Sequence, residues 1–387
     1  MRILIHDNSI RNLIKMSFTS NKYYRHHAIV VSMLLSIFIC VNVDAKYLSI
    51  NSQIKIDRVK LFNSGDSIPF DTIPQMHNEK YYFEAYDELF DMFDGTNPYD
   101  LLRAEYLLEN AYFEGKANYS LLATVVKETV KKLKTFIVVQ NIQGYKTAVN
   151  AALFYYFAKP NWMNGNRPFS YDYKDCAGNK DFSVFLTSKV IRTHSGQCTS
   201  LPIYYKILCD AAGGSCYLAT APNHMYIKHI SEEGKWVNVE LTTGSFSRDD
   251  WYIQTMEVST EAIKNGLFLT ALSEKETIGY IIYMLAHAYL HKYRNYDYFV
   301  LLIGKRLLNS LPHFYPAMEL LKGCYQQFGY DYVHQIGKVQ SDFIEQTIRE
   351  HKAMINLENS LGFSKISDEK YLENVKRATE DIKQTNK

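Results

Sequence analysis

The stretch His194-Ser-Gly-Gln-Cys-Thr-Ser-Leu-Pro-Ile-Tyr-Tyr-Lys-Ile-Leu208 joins a thiol to the start of an apolar helix. Gly196 ends a loop just before Cys198, and apolar residues then recur at helical spacing from Leu201 to Leu208. Pro202 is compatible with this helix because it lies in the first turn. Unsatisfied N–H groups and a partial positive charge at a helix N-terminus both favour a thiolate. The sequence therefore predicts a nucleophilic thiol at Cys198.

Two strand-like segments downstream carry a histidine and an acid. Pro222-Asn-His-Met-Tyr-Ile-Lys228 precedes the turn Ser231-Glu-Glu-Gly-Lys235, which leads into Trp236-Val-Asn-Val-Glu240. A three-residue hairpin loop over 232–234, with its Gly in the left-handed conformation, would pair Ser231 with Lys235.

That register places Tyr226 opposite Glu240 and His224 opposite Thr242. His224 and Glu240 then become diagonal neighbours on one face, about 5.5–8 Å apart, near enough for the carboxylate to orient the imidazole. A slip of one residue would turn one of the two away.

Cys198, His224 and Glu240 are therefore predicted to act as nucleophile, base and orienting acid. Gln197 is the predicted side-chain donor to an oxyanion, beside the backbone N–H of Cys198, unless it turns outward into solvent. Each residue taken alone has a commoner explanation, since a single cysteine is usually a buried structural residue.

These segments resemble the transglutaminase-like superfamily, a papain-related fold whose Cys, His and Asp follow one another in that order. They are most similar to the bacterial branch that joins such a core to tetratricopeptide repeats. The resemblance runs from about Asp100 to Trp251 and includes the Gly-Gln-Cys198 loop and Pro222-Asn-His224. It implies an α+β fold in which a cysteine on a helix N-terminus packs against an antiparallel sheet. An N-terminal helical region and a C-terminal all-helical module flank this core.

The same resemblance implies an acyl-transfer enzyme, a peptidase, amidase or cross-linking protein, acting on a protein or peptide substrate without a cofactor. Glu240 stands where the family usually has Asp, and some members of the bacterial branch lack the cysteine. The alternative is therefore an inactive fold that serves as a binding or scaffold protein in the cell envelope.

Composition changes divide the chain into five regions, and the resemblance supplies the names of the third and the fourth. They are a signal peptide over 1–45, a short extended segment over 46–79, a transglutaminase-like domain with a helical lead-in over 80–272, a tetratricopeptide-like helical module over 273–372, and a frayed tail over 373–387. Helices are predicted over 81–93, 99–113, 119–139, 145–157 and 181–193, with residues 246–251 as a loop.

The signal-peptide prediction rests on a basic flank, the apolar run from Ala28 to Cys40 and a Val-x-Ala ending at Ala45, with Met16 as an alternative start. It predicts export to the periplasm or the extracellular space, with no membrane span after cleavage. The alternative is an uncleaved N-terminal anchor. The C-terminal helices are predicted to contact an envelope protein partner.

Five cysteines remain after cleavage, and the odd number suits one free thiol. The sequence leaves open how Cys176, Cys209, Cys216 and Cys324 pair.

The net charge of +2 offers no electrostatic reason to expect nucleic-acid binding. His287 and His291 have the spacing of a helical metal pair, but no Glu follows the first and no third ligand is evident, so no metal site is predicted. His194 and His229 are expected near the cleft as loop or surface residues.

Overall fold

The computed structural model describes residues 80–175, 177–336, 342–363 and 365–385, and over these ranges the chain is α+β. The predicted signal peptide, the extended segment and Cys176 lie outside the described residues. Contacts divide the chain into two compact units. The larger comprises Glu79–Lys292 and Asn359–Lys387, and the smaller includes Tyr293–Glu358.

Four helices open the larger unit: α1 (Lys80–Phe93), α2 (Leu101–Tyr112), α3 (Tyr119–Val139) and α4 (Ala148–Ala158). The side chains of Asp100 and Asn118 accept the N–H groups of Arg103 and Leu121, which starts α2 and α3. Helix α3 has the predicted bounds because both its cap and its apolar periodicity are local.

The predicted helix over 181–193 is divided into a 3₁₀ turn (Phe182–Phe185) and α5 (Thr187–Thr193). The division follows from two buried carboxylates of α2. Glu105 accepts the N–H of Thr187 at 2.9 Å, and Glu109 accepts that of Ser188 at 2.7 Å, so a new helix begins there.

Helix α6 (Ser200–Ala212) is buried on nearly all of its surface and ends at Gly213, whose φ is +80°. It packs against α3, α4, α5 and the sheet that follows. Before it, β1 (Ser170–Tyr171) pairs in parallel with β2 (Ser195–Gly196).

The sheet contains β3 (Tyr217–Ala221), β4 (His224–Ile230), β5 (Trp236–Glu240) and β6 (Ser245–Ser247), in that order and antiparallel. The predicted hairpin register is confirmed, because Ile227 pairs with Val239 and Ile230 with Trp236. The N–H of Ser231 donates to the carbonyl of Lys235, and Gly234 has a φ of +78°.

Residues 246–251 do not form the predicted loop. Phe246 pairs with Val239 in β6, and α7 (Asp249–Thr255) follows at once. A strand of three residues is too short to show a period of two, so its pattern was unreadable in sequence. Helices α8 (Thr260–Lys264) and α9 (Glu274–Tyr293) come next.

The described part of the smaller unit contains α10 (Tyr298–Ser310), α11 (Tyr315–Ile336) and most of α12 (Asp342–Leu361). Gly304 of α10 lies so close to Leu321 of α11 that an added Cβ would stand 2.9 Å from Leu321 Cγ. This packing agrees with a helical module, and the tetratricopeptide-like character remains a prediction.

Helix α13 (Asp368–Thr385) belongs to the larger unit and runs through most of the predicted frayed tail. Tyr371 and Asn374 lie three residues apart on one face of this helix and are both buried, so this face packs against the larger unit. In the described part of the chain, none of the helices combines the length and apolarity that a membrane crossing requires.

Candidate active site

The loop that carries Cys198 is held rigidly against the start of α6. The N–H of Gln197 donates to Ser200 Oγ at 2.9 Å, and its carbonyl accepts the N–H of Leu201 at 3.1 Å. Gly196 is required here, since a Cβ would lie 2.6 Å from Val190 Cγ2. Cys198 therefore sits in the opening turn, two residues before the helix proper.

The sheet supplies the other two predicted residues from neighbouring strands. A two-residue turn with Asn223 at φ +56° joins β3 to β4, so His224 is the first residue of β4. Glu240 is the last residue of β5. The confirmed register places them diagonally on one face.

His224 Nε2 lies 2.7 Å from Glu240 Oε2, so the longer glutamate side chain reaches the imidazole. The same oxygen accepts the Tyr252 hydroxyl at 3.0 Å. Oε1 accepts the N–H of Thr242 at 3.0 Å and its hydroxyl at 2.5 Å. A buried carboxylate with four donors is fully compensated and rigid.

The sulfur of Cys198 faces the other side of the imidazole. The sulfur lies 3.7 Å from the carbonyl oxygen of Asn223, and it is close enough to the His224 ring and the Tyr371 hydroxyl for both to lower its pKa. Cys198 is 8% exposed, His224 4% and Glu240 0%. The structure thus brings all three predicted residues together in one buried array.

Burial raises the pKa of the Cys198 thiol, but the hydrogen bond and charge of His224, and then the hydrogen bond of Tyr371, lower it by more. Burial lowers the pKa of His224, yet the charge of Glu240 and the bonds to Cys198 and Glu240 raise it to about 10. For Glu240, burial is outweighed by the charge and hydrogen bond of His224, so its pKa is lowered. These directions favour a thiolate and an imidazolium braced by a carboxylate.

Two site residues were not predicted from the sequence. The Tyr371 hydroxyl lies 2.8 Å from His224 Nδ1, although the two residues are 147 apart in the chain. Tyr252 holds Glu240 and stacks on Tyr226, with ring centroids 4.0 Å apart. Both tyrosines are part of helices that resemble many others in the chain, so no local signal distinguishes them.

Gln197 is buried rather than solvated. Its Nε2 donates to the carbonyls of Asp172 and Asp175, at 2.8 and 3.3 Å, and so ties the loop after β1 to the Cys198 loop. Its Nε2 is thereby engaged by loop carbonyls, and the oxyanion roles of Gln197 and of the Cys198 N–H stay predictions.

His194 and His229, expected near the cleft, each bond to a backbone carbonyl. His194 ends α5, stacks on Phe169 and bonds to the carbonyl of Arg167 at 2.7 Å. His229 Nδ1 contacts the carbonyl of Ile230, and its burial lowers its pKa.

Among the residues that the structure describes, no three His, Cys, Asp or Glu side chains converge as a metal site. The His287 ring instead packs on Tyr283. Within the described ranges, four buried cysteines carry free thiols: Cys198, Cys209, Cys216 and Cys324.

No protein-family model, curated protein or solved structure matches the chain. The function therefore rests on the site itself.

Proposed function

We propose that the chain is an exported, cysteine-dependent acyl-transfer enzyme of transglutaminase-like type. The observation that carries the proposal is the buried array of Cys198, His224 and Glu240, with the imidazole between the sulfur and the carboxylate. A helix-opening cysteine packed against an antiparallel sheet is also the arrangement expected of that fold.

The chemistry follows from the two ring nitrogens. Nε2 is engaged by Glu240, so Nδ1 is the nitrogen that would exchange protons with the sulfur once the Tyr371 hydroxyl leaves it. The thiolate attacks an amide carbonyl, and the carbonyl π electrons move onto oxygen, which the N–H of Cys198 stabilises. The C–N bond then breaks as Nδ1–H protonates the leaving amine, which leaves a thioester and a neutral imidazole.

The thioester is resolved by a second nucleophile. Nδ1 takes a proton from water or from an amine as that nucleophile attacks the thioester carbonyl, and the sulfur leaves as a thiolate. Water gives hydrolysis, whereas an amine gives a cross-link. We favour hydrolysis, because water is always present and no amine-binding pocket is evident in the sequence.

The experiment is a search for cysteine-dependent products. Purified protein is incubated with glutamine-containing peptides with and without an added amine, and mass spectrometry detects deamidation, cleavage or amine incorporation. We expect products from wild type and from Cys324→Ser, whose thiol is buried in the smaller unit. Cys198→Ser should yield none. Products that persist in Cys198→Ser would show that the chemistry is elsewhere.

A second candidate is supported by the burial of the array under Tyr371. In that case the chain keeps the fold without turnover and binds an envelope partner, as do scaffold proteins built on enzyme folds. Alkylation of Cys198 against pH separates the two candidates. A thiolate that reacts at a pH below the ordinary thiol pKa supports the enzyme. A thiol that stays inert at every pH, also in a variant whose sulfur is accessible, supports the scaffold.

A further inference from the structure

The last segment of the larger unit lies over the sulfur and the imidazole. We call residues 359–363 and 365–385 the C-terminal strap. Its Tyr371 is 5% exposed, and the Tyr371 hydroxyl lies 2.8 Å from His224 Nδ1 and close enough to the Cys198 thiol to lower its pKa. The hydroxyl therefore occupies the space in which a substrate would meet both groups.

This position is incompatible with the proposed reaction. A carbonyl carbon must approach within about 3–3.5 Å of the sulfur before attack. Nδ1 must also be free to protonate the leaving amine. The Tyr371 hydroxyl holds Nδ1, so the leaving amine of a peptide cannot reach this nitrogen while the strap is docked.

Polar bonds along its length hold the strap. Ser259 Oγ donates to the carbonyl of Gly362 at 2.7 Å, and the amide of Asn223 donates to the carbonyl of Ile366 at 2.7 Å. Lys370 forms an ion pair with Glu257, and the amide of Asn374 donates to the carbonyl of Thr255 at 2.5 Å.

One of these contacts is exposed. The ion pair of the strap has 49% of the Lys370 side chain and 52% of the Glu257 side chain accessible. An ion pair this exposed is weak, and a contact of this kind opens locally at little cost.

We propose that the C-terminal strap is an autoinhibitory cover: it closes the acyl-transfer site through Tyr371 and opens by local undocking to admit a peptide segment. The inference rests on the proposed function of Cys198. Opening breaks the contacts around Asn374, Lys370 and Ile366, frees Nδ1 and the sulfur, and leaves the bond between His224 and Glu240 intact.

The test uses the full chain and charge reversals far from the sulfur. Lys370→Glu or Glu257→Lys alone places like charges together and should speed the alkylation of Cys198 by iodoacetamide about two- to fivefold, the scale of an exposed ion pair. The double reversal should return the rate to that of wild type. Lys376→Glu, a reversal at an exposed position of the same helix, should leave the rate unchanged.

Tyr371→Ala should raise the alkylation rate more, on the order of 10²-fold, as expected when a buried aromatic anchor is deleted. The cover is refuted if the single reversals react no faster than Lys376→Glu, or if the double reversal fails to restore the slow rate. The reversals decide the matter even if Tyr371→Ala does not fold.

Amide turnover by the same variants separates this inference from the proposed function. Faster amide turnover in the single reversals than in the wild type supports both the enzyme and the cover. Faster alkylation with no turnover in any variant keeps the cover and overturns the enzyme. Turnover in wild type that equals that of the single reversals keeps the enzyme and overturns the cover.

Discussion

Replacing Glu240 with Gln tests whether the carboxylate creates the reactive thiol. In the wild type the pKa of His224 stands at about 10, against 6.5 for an ordinary imidazole. Burial lowers this pKa, and the charge of Glu240 is the largest of the effects that raise it. Loss of the carboxylate charge should therefore lower the pKa of His224.

The substitution also changes which ring nitrogen carries the proton. The introduced amide has Thr242 donors on one side, so its NH₂ turns toward His224 and donates to Nε2. The proton of a neutral imidazole then sits on Nδ1, and Nδ1 can no longer accept a proton from the thiol. A wrong tautomer of this kind costs on the order of 10²–10⁴-fold in rate in comparable triads.

The direct readout is the far-ultraviolet absorbance of the thiolate between about pH 5 and pH 9, as a difference between each protein and its Cys198→Ser partner. This absorbance requires no access to the sulfur. We expect the wild type to ionise below the ordinary thiol pKa of 9.0, and Glu240→Gln to ionise at or above it. The pKa of Cys198 should rise in the variant because the imidazolium that stabilises the thiolate in the wild type is lost.

Glu233→Gln is the matched control, since this glutamate is exposed in the hairpin loop. It should titrate as the wild type does. If folded Glu240→Gln ionised Cys198 at the wild-type pH, the carboxylate would have no part in activating the sulfur, and our reading of the site would be refuted.

Three further perturbations have defined outcomes. Tyr252→Phe removes a donor to Glu240 and should cost about 2 kcal/mol in urea unfolding, and a cost near zero would show that this bond is dispensable. The pKa of Glu105 is raised by burial and then by its neighbour Glu109, from 4.5 to about 8, so the stability it contributes is complete below pH 4.5 and is lost as pH rises through 8. The free energy of unfolding of Glu105→Gln should therefore exceed that of the wild type by about 2 kcal/mol or more at pH 8 but not at pH 4.5. The same dependence of unfolding free energy on pH in both proteins would contradict this. Gly196→Ala places a Cβ 2.8 Å from Ser200 Oγ and should lower stability by about 1–3 kcal/mol in thermal unfolding, whereas an unchanged midpoint would mean that the loop yields freely.

Much of the site could be derived from the sequence because its determinants are local. Gly234 allows the left-handed turn that sets the hairpin register, and the register alone places His224 and Glu240 on one face. Likewise, Asn118 and the apolar period after it define α3 to the residue.

Other features of the fold could not be predicted from the sequence, because they depend on burial or on residues far apart in the chain. The burial of α6 on almost every side depends on α3, α4, α5 and the sheet together, while its sequence shows only an apolar period. The break before α5 depends on Glu105 and Glu109, about 80 residues earlier. Neither effect leaves a mark within a local window of sequence.

The amino-acid sequence by itself determined the cysteine at a helix start, the histidine and the acid on paired strands, and the mixture of helix and sheet, because turns, caps and periodicity act between near neighbours. Only the tertiary structure decided that Gln197 faces loop carbonyls, that Tyr252 holds Glu240, and that Tyr371 closes over the sulfur. Those contacts join residues remote along the chain, and they form because burial leaves each polar group no alternative partner in water.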